Sequence, residues 1–155
     1  RYVQLGRDEG GTVLFGGQRP QGALYDKGSY YLPTVIEGLP NGARMCQEEI
    51  FGPVLALLPW SDEADLLAQC NDNVYGLAAG IWTRDYKTVW RLGRALQTGT
   101  VWVNTYKQFS VSTPFGGVKM SGTGREKGRL GILEYTSQKS YYWGTNEAPI
   151  AWSIA

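Results

Sequence analysis

The sequence contains no histidine. That one absence removes imidazole general bases, Ser-His-Asp triads and histidine-ligated metals together. Cysteine is scarce: Cys46 and Cys70 are the only two, and their number and spacing describe neither a disulfide framework nor a zinc site. Charge of one sign is also missing. Against 15 Lys and Arg stand 14 Asp and Glu, a net charge of +1, so nothing in the balance points to nucleic acid or an acidic membrane surface. No long apolar run and no secretory leader are visible, and the expectation is a soluble, cytoplasmic protein. An initiator methionine is lacking before Arg1, and Tyr2-Val3-Gln4-Leu5 reads as the tail of a helix. The stretch is therefore expected to begin inside a larger design. Internal repeats are absent.

What is present suits one α/β domain. A length of 155 residues allows a core. Residues 1–8 read as a helical tail, stopped by Gly10-Gly11, and residues 12–15 as a strand closed by Gly16-Gly17. Residues 30–36 are aromatic and β-branched and read as a strand, with Pro33 arguing for an edge or irregular one. From Val54 the pattern becomes regular. Residues 54–58 form an apolar strand. Ser61, Asp62 and Glu63 open a helix with a capping hydroxyl and acids at its positive end. Residues 77–82 form the next strand. Asp85 opens a second helix, with Tyr86, Val89, Trp90, Gly93 and Leu96 on one face and Gly99 as a left-handed cap. Residues 100–103 form the third strand. Continuous apolar strands and helical crossovers predict a parallel β-α-β-α-β sheet covered by helices. Residues 125–133 read as a short helix. Residues 135–143, opening on Tyr135 and closing on Trp143, read as a lone strand with no partner nearby in sequence. A tail from Asn146 to Ala155 has no assignable role.

Three stretches carry candidate chemistry. The first is Glu48-Glu49-Ile50-Phe51-Gly52-Pro53-Val54. Gly-Pro disfavours helix, so two acids and an aromatic ring sit on a turn at the mouth of a strand. A solvated acidic turn before a core strand is the plainer reading. The second is Gly99-Thr100-Val101-Trp102-Val103-Asn104, after which residues 105–114 lie where ligands gather in such sheets; a packed connection accounts for that loop equally well. The third is Pro114-Phe115-Gly116-Gly117-Val118-Lys119-Met120-Ser121-Gly122-Thr123-Gly124-Arg125-Glu126. Its glycines are neither a dinucleotide fingerprint nor a phosphate loop, because spacing and context are wrong. They mark a tight backbone path.

In this order and at these separations, the three stretches resemble the C-terminal part of the aldehyde dehydrogenase superfamily, from the opening residues to about Tyr142. The resemblance implies that Glu49 accepts hydrogen bonds from the nicotinamide ribose of NAD or NADP and that Phe51 packs near the nicotinamide ring. Glu48 is left to the fold or a salt bridge. Phe115 and Phe109 match residues of the aldehyde tunnel, with core packing the other reading for both. Asn104 matches a mainly structural asparagine. Glu126 matches a residue linked to proton movement, with a helix-start carboxylate the other reading. The family's reaction needs a nucleophilic cysteine, hydride transfer and a glutamate base. Neither Cys46 nor Cys70 matches that nucleophile, and both read as small buried hydrophobes.

The resemblance thus describes a piece carrying one wall of an active site without its chemical engine, inactive alone. Residues 1–133 correspond to the end of the catalytic domain, and residues 134–155 to an oligomerisation strand and tail. Residues 135–143 are expected to make a homo-oligomer by extending a neighbouring subunit's sheet. A non-catalytic module from a truncated gene, self-associating through its last strand, is the other reading. Sequence encoded upstream of Arg1 separates the two.

Overall fold

The computed structural model describes residues 1–145 and 147. The tail from Asn146 onward lies outside the described residues apart from Glu147. Helix α1 (Tyr2–Asp8) leads into β1 (Thr12–Phe15) and, after a long turn-rich loop, β2 (Thr34–Glu37). A single-turn helix, α2 (Arg44–Gln47), precedes β3 (Val54–Leu57). These strands form a three-stranded sheet in the order β1-β2-β3, antiparallel for the first pair and parallel for the second. Ile36 on β2 is fully buried, among Val3 of α1, Leu39, Ala43 and Met45. Burying a side chain of that size contributes about 1.5–3 kcal/mol.

The strand expected over residues 30–36 starts only at Thr34, and it is central rather than an edge strand. Pro33 stands one residue ahead of the ladder, so its missing N–H costs no pairing. Thr34 opens the strand by donating its N–H to the Pro53 carbonyl at 2.8 Å. Its buried hydroxyl accepts from Gly17 N and donates to the Leu32 carbonyl, both at 2.9 Å.

The second half contains α3 (Glu63–Asn71), β4 (Tyr75–Gly76), β5 (Ala78–Ile81), α4 (Tyr86–Ala95), β6 (Thr100–Val103), β7 (Val118–Lys119) and α5 (Gly128–Leu133). Strands β5 and β6 pair in parallel through the α4 crossover, and β4 pairs antiparallel with β7. The α/β class with parallel pairing holds. Among the described residues one continuous β-α-β-α-β sheet does not form, because β3 pairs only with β2 and β5 only with β6. Apolar patterning specifies strands and crossovers but not which edges meet.

Four local expectations change. The cap of α3 is Asp62, whose carboxylate accepts from Ala64 N and Asp65 N, while Ser61 donates its N–H and hydroxyl to Asp65. Helix α4 turns Leu92 inward, with Thr88 and Leu96 half-buried, and leaves Tyr86 and Trp90 in solvent. Its C-terminus has no left-handed residue; Asn71 caps it by donating to the Ala95 carbonyl and accepting from Gln97 N. Helix α5 starts at Gly128, three residues late, because Phe115 and Glu126 pair as an extended bridge.

Residues 135–143 adopt no regular strand and meet no strand of this chain among the described residues, and Tyr135, Tyr141, Tyr142 and Trp143 are exposed. The single-domain core is smaller than the length suggested. The chain exposes 12133 Å², whereas a compact monomer of this mass exposes about 7,800 Å².

Candidate functional site

The turn before β3 separates its two acids by side. Glu48 leaves α2 in an extended conformation, so successive side chains alternate. Its carboxylate accepts from Arg44 Nε at 2.7 Å and from the Tyr2 hydroxyl at 3.1 Å. The Arg44 hydrogen bond first, then that from Tyr2, holds its carboxyl below the usual carboxylate range. Glu49 is exposed and has no hydrogen bond or ion pair to the described residues. Ile50 packs against the core. Phe51 points out again, 95% exposed, at φ 47. A bulky residue there is strained by about 1–3 kcal/mol. The fold places Glu48 in the salt bridge expected of it and leaves Glu49 outside it.

A second group is built around Trp102 of β6. Its indole is buried and donates to the Gln108 carbonyl at 2.8 Å. Tyr106 and Phe109 meet it edge-on, at ring centroid distances of 5.2 and 5.5 Å, and Phe115 stacks at 6.3 Å. Phe109 and Phe115 meet edge-to-face at 5.0 Å. Lys127 Nζ lies 4.1 Å from the Phe109 ring centre, a cation–π arrangement. Within residues 105–114, Tyr106 and Phe109 thus pack on Trp102, yet residues 106–113 stay exposed, Phe109 at 47% and Val111 at 90%. Asn104, at φ 51, donates to the Thr83 carbonyl and accepts from Thr83 N. It ties the ends of β5 and β6 together.

Phe115 lines two openings. One, of about 350 Å³, is shared with Trp102, Phe109 and Pro114. The other, of about 1080 Å³, is walled by the glycine-rich segment, with Glu126 and Tyr135 also lining it. Glu126 pairs its backbone with that of Phe115 at 2.7 and 2.8 Å. It therefore lies ahead of α5 and is no helix-start carboxylate. Arg125, which sequence reasoning passed over, donates to the carbonyls of Gly117 and Gly124 at 2.7 and 2.8 Å and locks this path. The alternation of glycine with one arginine is the signal that was there to read. The fold thus brings together Phe109, Phe115 and Glu126, while Glu49 and Phe51 stand apart and line neither opening.

Cys46 is half-buried against the core, and burial pushes its thiol up. Cys70 is exposed on α3, not buried as expected. Its thiol faces an apolar groove shared with Leu66, Ala79 and Leu92, where desolvation also raises it. No group of three or more acids and cysteines among the described residues is placed to hold a metal ion.

The sequence profile of the aldehyde dehydrogenase family matches residues 1–141. The chain belongs to the aldehyde dehydrogenase family. It is 38% identical over 152 residues to betaine aldehyde dehydrogenase of Bacillus subtilis, covering 98% of this chain and 31% of that protein. With an aldehyde dehydrogenase of Deinococcus radiodurans it shares 46% over 139 residues, 90% of this chain and 27% of the relative. The crystal structure of Mycobacterium tuberculosis aldehyde dehydrogenase complexed with NAD+ superimposes with a TM-score of 0.84 at 43% identity, over 89% of this chain and 28% of that one. A point mutant of Staphylococcus aureus betaine aldehyde dehydrogenase in complex with NAD+ gives 0.91 at 35% identity, over 97% and 31%. This aldehyde dehydrogenase chain thus spans about a third of the length of the relatives it matches.

Proposed function

We propose that this chain is the C-terminal segment of an NAD(P)-dependent aldehyde dehydrogenase that oxidises an aldehyde to a carboxylic acid. The observation that carries the proposal is the turn at residues 48–53. One carboxylate is saturated by the fold, while its neighbour and a strained aromatic ring project free. A partner-free carboxylate suits two vicinal ribose hydroxyls, and hydrogen bonds to a charged group contribute about 1.5–3 kcal/mol each. Glu49 takes that role, and Phe51 covers one side of the nicotinamide. NAD(P)+, when bound, supplies the hydride acceptor. Phe115 and the exposed part of Phe109 form an apolar wall for the aldehyde. Glu126 offers an exposed carboxylate, with at most a minor part in moving protons. The nucleophilic cysteine, its base and the dinucleotide-binding unit are contributed by the remainder of the full-length protein.

In the full-length enzyme, Glu49→Gln is expected to slow single-turnover hydride transfer by about 10- to 100-fold, the effect of losing about 1.5–3 kcal/mol. Cofactor affinity should fall by less, since most of the dinucleotide is held elsewhere. Stopped-flow measurement of nicotinamide reduction decides it, and an unchanged rate removes Glu49 from the site.

Assembly belongs to the same proposal. The aromatic segment 135–143 is exposed and unpaired in this chain, and we assign it to the sheet of a second subunit in a homo-oligomer, where its backbone donors and acceptors would be met. Light scattering should show the intact chain associating and a version ending at Leu133 dissociating. Two monomers defeat the assembly proposal. Equal association places the contact elsewhere.

A further inference from the structure

The free acid on the turn stands on an unusually well-tied support. Helix α2 is one turn long, too short to persist alone, yet every side of it is fastened. The Glu9 carboxylate accepts from Arg44 N at 2.8 Å and Met45 N at 3.1 Å. Gln47 Nε2 donates to the carbonyls of Asn41 and Asp72, both at 2.8 Å, and Asn73 Nδ2 donates to the Cys46 carbonyl at 3.3 Å. Met45 is buried beneath α1 and β2. Glu48 continues this body, its N–H donating to the Arg44 carbonyl at 2.8 Å. From the first residue of α1, 46 positions away, Tyr2 reaches the same carboxylate that Arg44 holds.

We propose that the Tyr2–Glu48–Arg44 cluster positions the turn that presents Glu49 and Phe51, making Glu48 a positioning residue for nicotinamide contact; this rests on the reading of Glu49 given above. Two neighbouring carboxylates repel each other, and Phe51 occupies backbone space that phenylalanine ordinarily avoids. Left free, Glu48 would swing to solvent, and the turn would relax towards an ordinary conformation. With Glu48 fastened inward on extended backbone, Glu49 turns outward and Ile50 inward onto the core, and the left-handed residue Phe51 then projects its ring into solvent. Tyr2 and Arg44 grip different oxygens, Oε2 and Oε1, so the carboxylate is fixed in rotation as well as in place.

The test uses the full-length enzyme with Tyr2→Phe, Glu48→Gln, Arg44→Lys, Arg44→Met and, as reference, Glu49→Gln. Tyr2→Phe and Glu48→Gln are expected to slow hydride transfer per active site by about 3- to 30-fold, with NAD+ affinity held within about twofold, as small misplacement of a binding group would do. Arg44→Lys should recover part of the rate that Arg44→Met loses. A merely structural role would instead lower the thermal midpoint and the yield of active sites without changing the rate per site. The inference is overturned if Tyr2→Phe and Glu48→Gln keep the rate per site while Glu49→Gln slows it. If Glu49→Gln itself changes nothing, the assignment of Glu49 has failed and the inference falls with it. Should Glu48→Gln not fold, Tyr2→Phe, which loses only a hydroxyl, carries the same test.

Discussion

Gly99→Ala is expected to destabilise the chain by about 3 kcal/mol or more, a large part of the 5–15 kcal/mol that separates most folded domains from unfolded ones, roughly speaking. A methyl group at Gly99 would collide with the Gly116 carbonyl oxygen and lie 2.8 Å from Gly116 C and 3.0 Å from Gly117 Cα. All three are backbone atoms, so no side-chain rotation relieves the clash. Neither strand of the chain can retreat. Gly99 N donates to the Gly76 carbonyl at 3.1 Å, Thr100 N to the Leu77 carbonyl at 3.2 Å, and Phe115 is bridged to Glu126 on the other side. Gly93→Ala is the matched control. Nothing lies within 4 Å of its added carbon, and it sits inside α4, so it should stabilise by about 0.5–1 kcal/mol. Denaturant midpoints of the two variants should move in opposite directions. A wild-type midpoint for Gly99→Ala would contradict the close approach of the two backbones.

The same glycine shows how far the sequence could be read. Its place after the α4 pattern suggested a left-handed cap, the commonest use of glycine there. Its actual partner is 17 residues downstream (99 to 116), on a segment whose path no local rule supplies. Elements set by local chemistry were legible. Short apolar runs marked β1, β3 and β6, and Asp85 marked the start of α4. Features set by distant partners were not. Asn71 capping α4 across 24 residues, Arg125 threading three carbonyls and the separation of β3 from β5 all depend on tertiary placement. Long motifs pointed to Glu49, Phe51 and Phe115 through resemblance. What separates Glu49 from Glu48 physically is the grip of Arg44 and Tyr2, the second a residue no window around the turn contains.

The outward stripe of α4 is the other instructive miss. Tyr86 and Trp90 satisfied the helical apolar pattern, and the face they define is real, but it meets solvent in this chain. A sequence pattern records burial in the protein in which it evolved. Here Leu55 and Leu57 of β3, Trp82 and Trp90 are all exposed, and the chain spans about a third of its relatives' length. Both facts have one physical reading under the proposed function: these side chains are patterned for surfaces that the remainder of the enzyme covers.

The largest expected effect is catalytic: the chain alone should form no NADH or NADPH with any aldehyde above the uncatalysed background. Attack on a carbonyl requires a thiolate, and reactive cysteines owe theirs to a nearby cation, histidine or helix N-terminus. Histidine is absent from the sequence. Burial raises the Cys46 thiol, and Glu9 raises it further by its negative charge. Desolvation raises Cys70, and no positive group offsets it. At neutral pH both are therefore protonated beyond an ordinary cysteine. Three carboxylates of α3 and the start of α4 are poor bases as well. Arg91 holds Glu63 low, Gln69 holds Asp65 low and Thr88 holds Asp85 low, so each binds a proton more weakly than an unperturbed acid. Removing a covalent nucleophile from an enzyme costs on the order of a millionfold in kcat. The assay is nicotinamide reduction with purified chain, both cofactors and a panel of aldehydes, alongside Cys46→Ser and Cys70→Ser. Turnover that either serine variant abolishes would give this segment a nucleophile of its own.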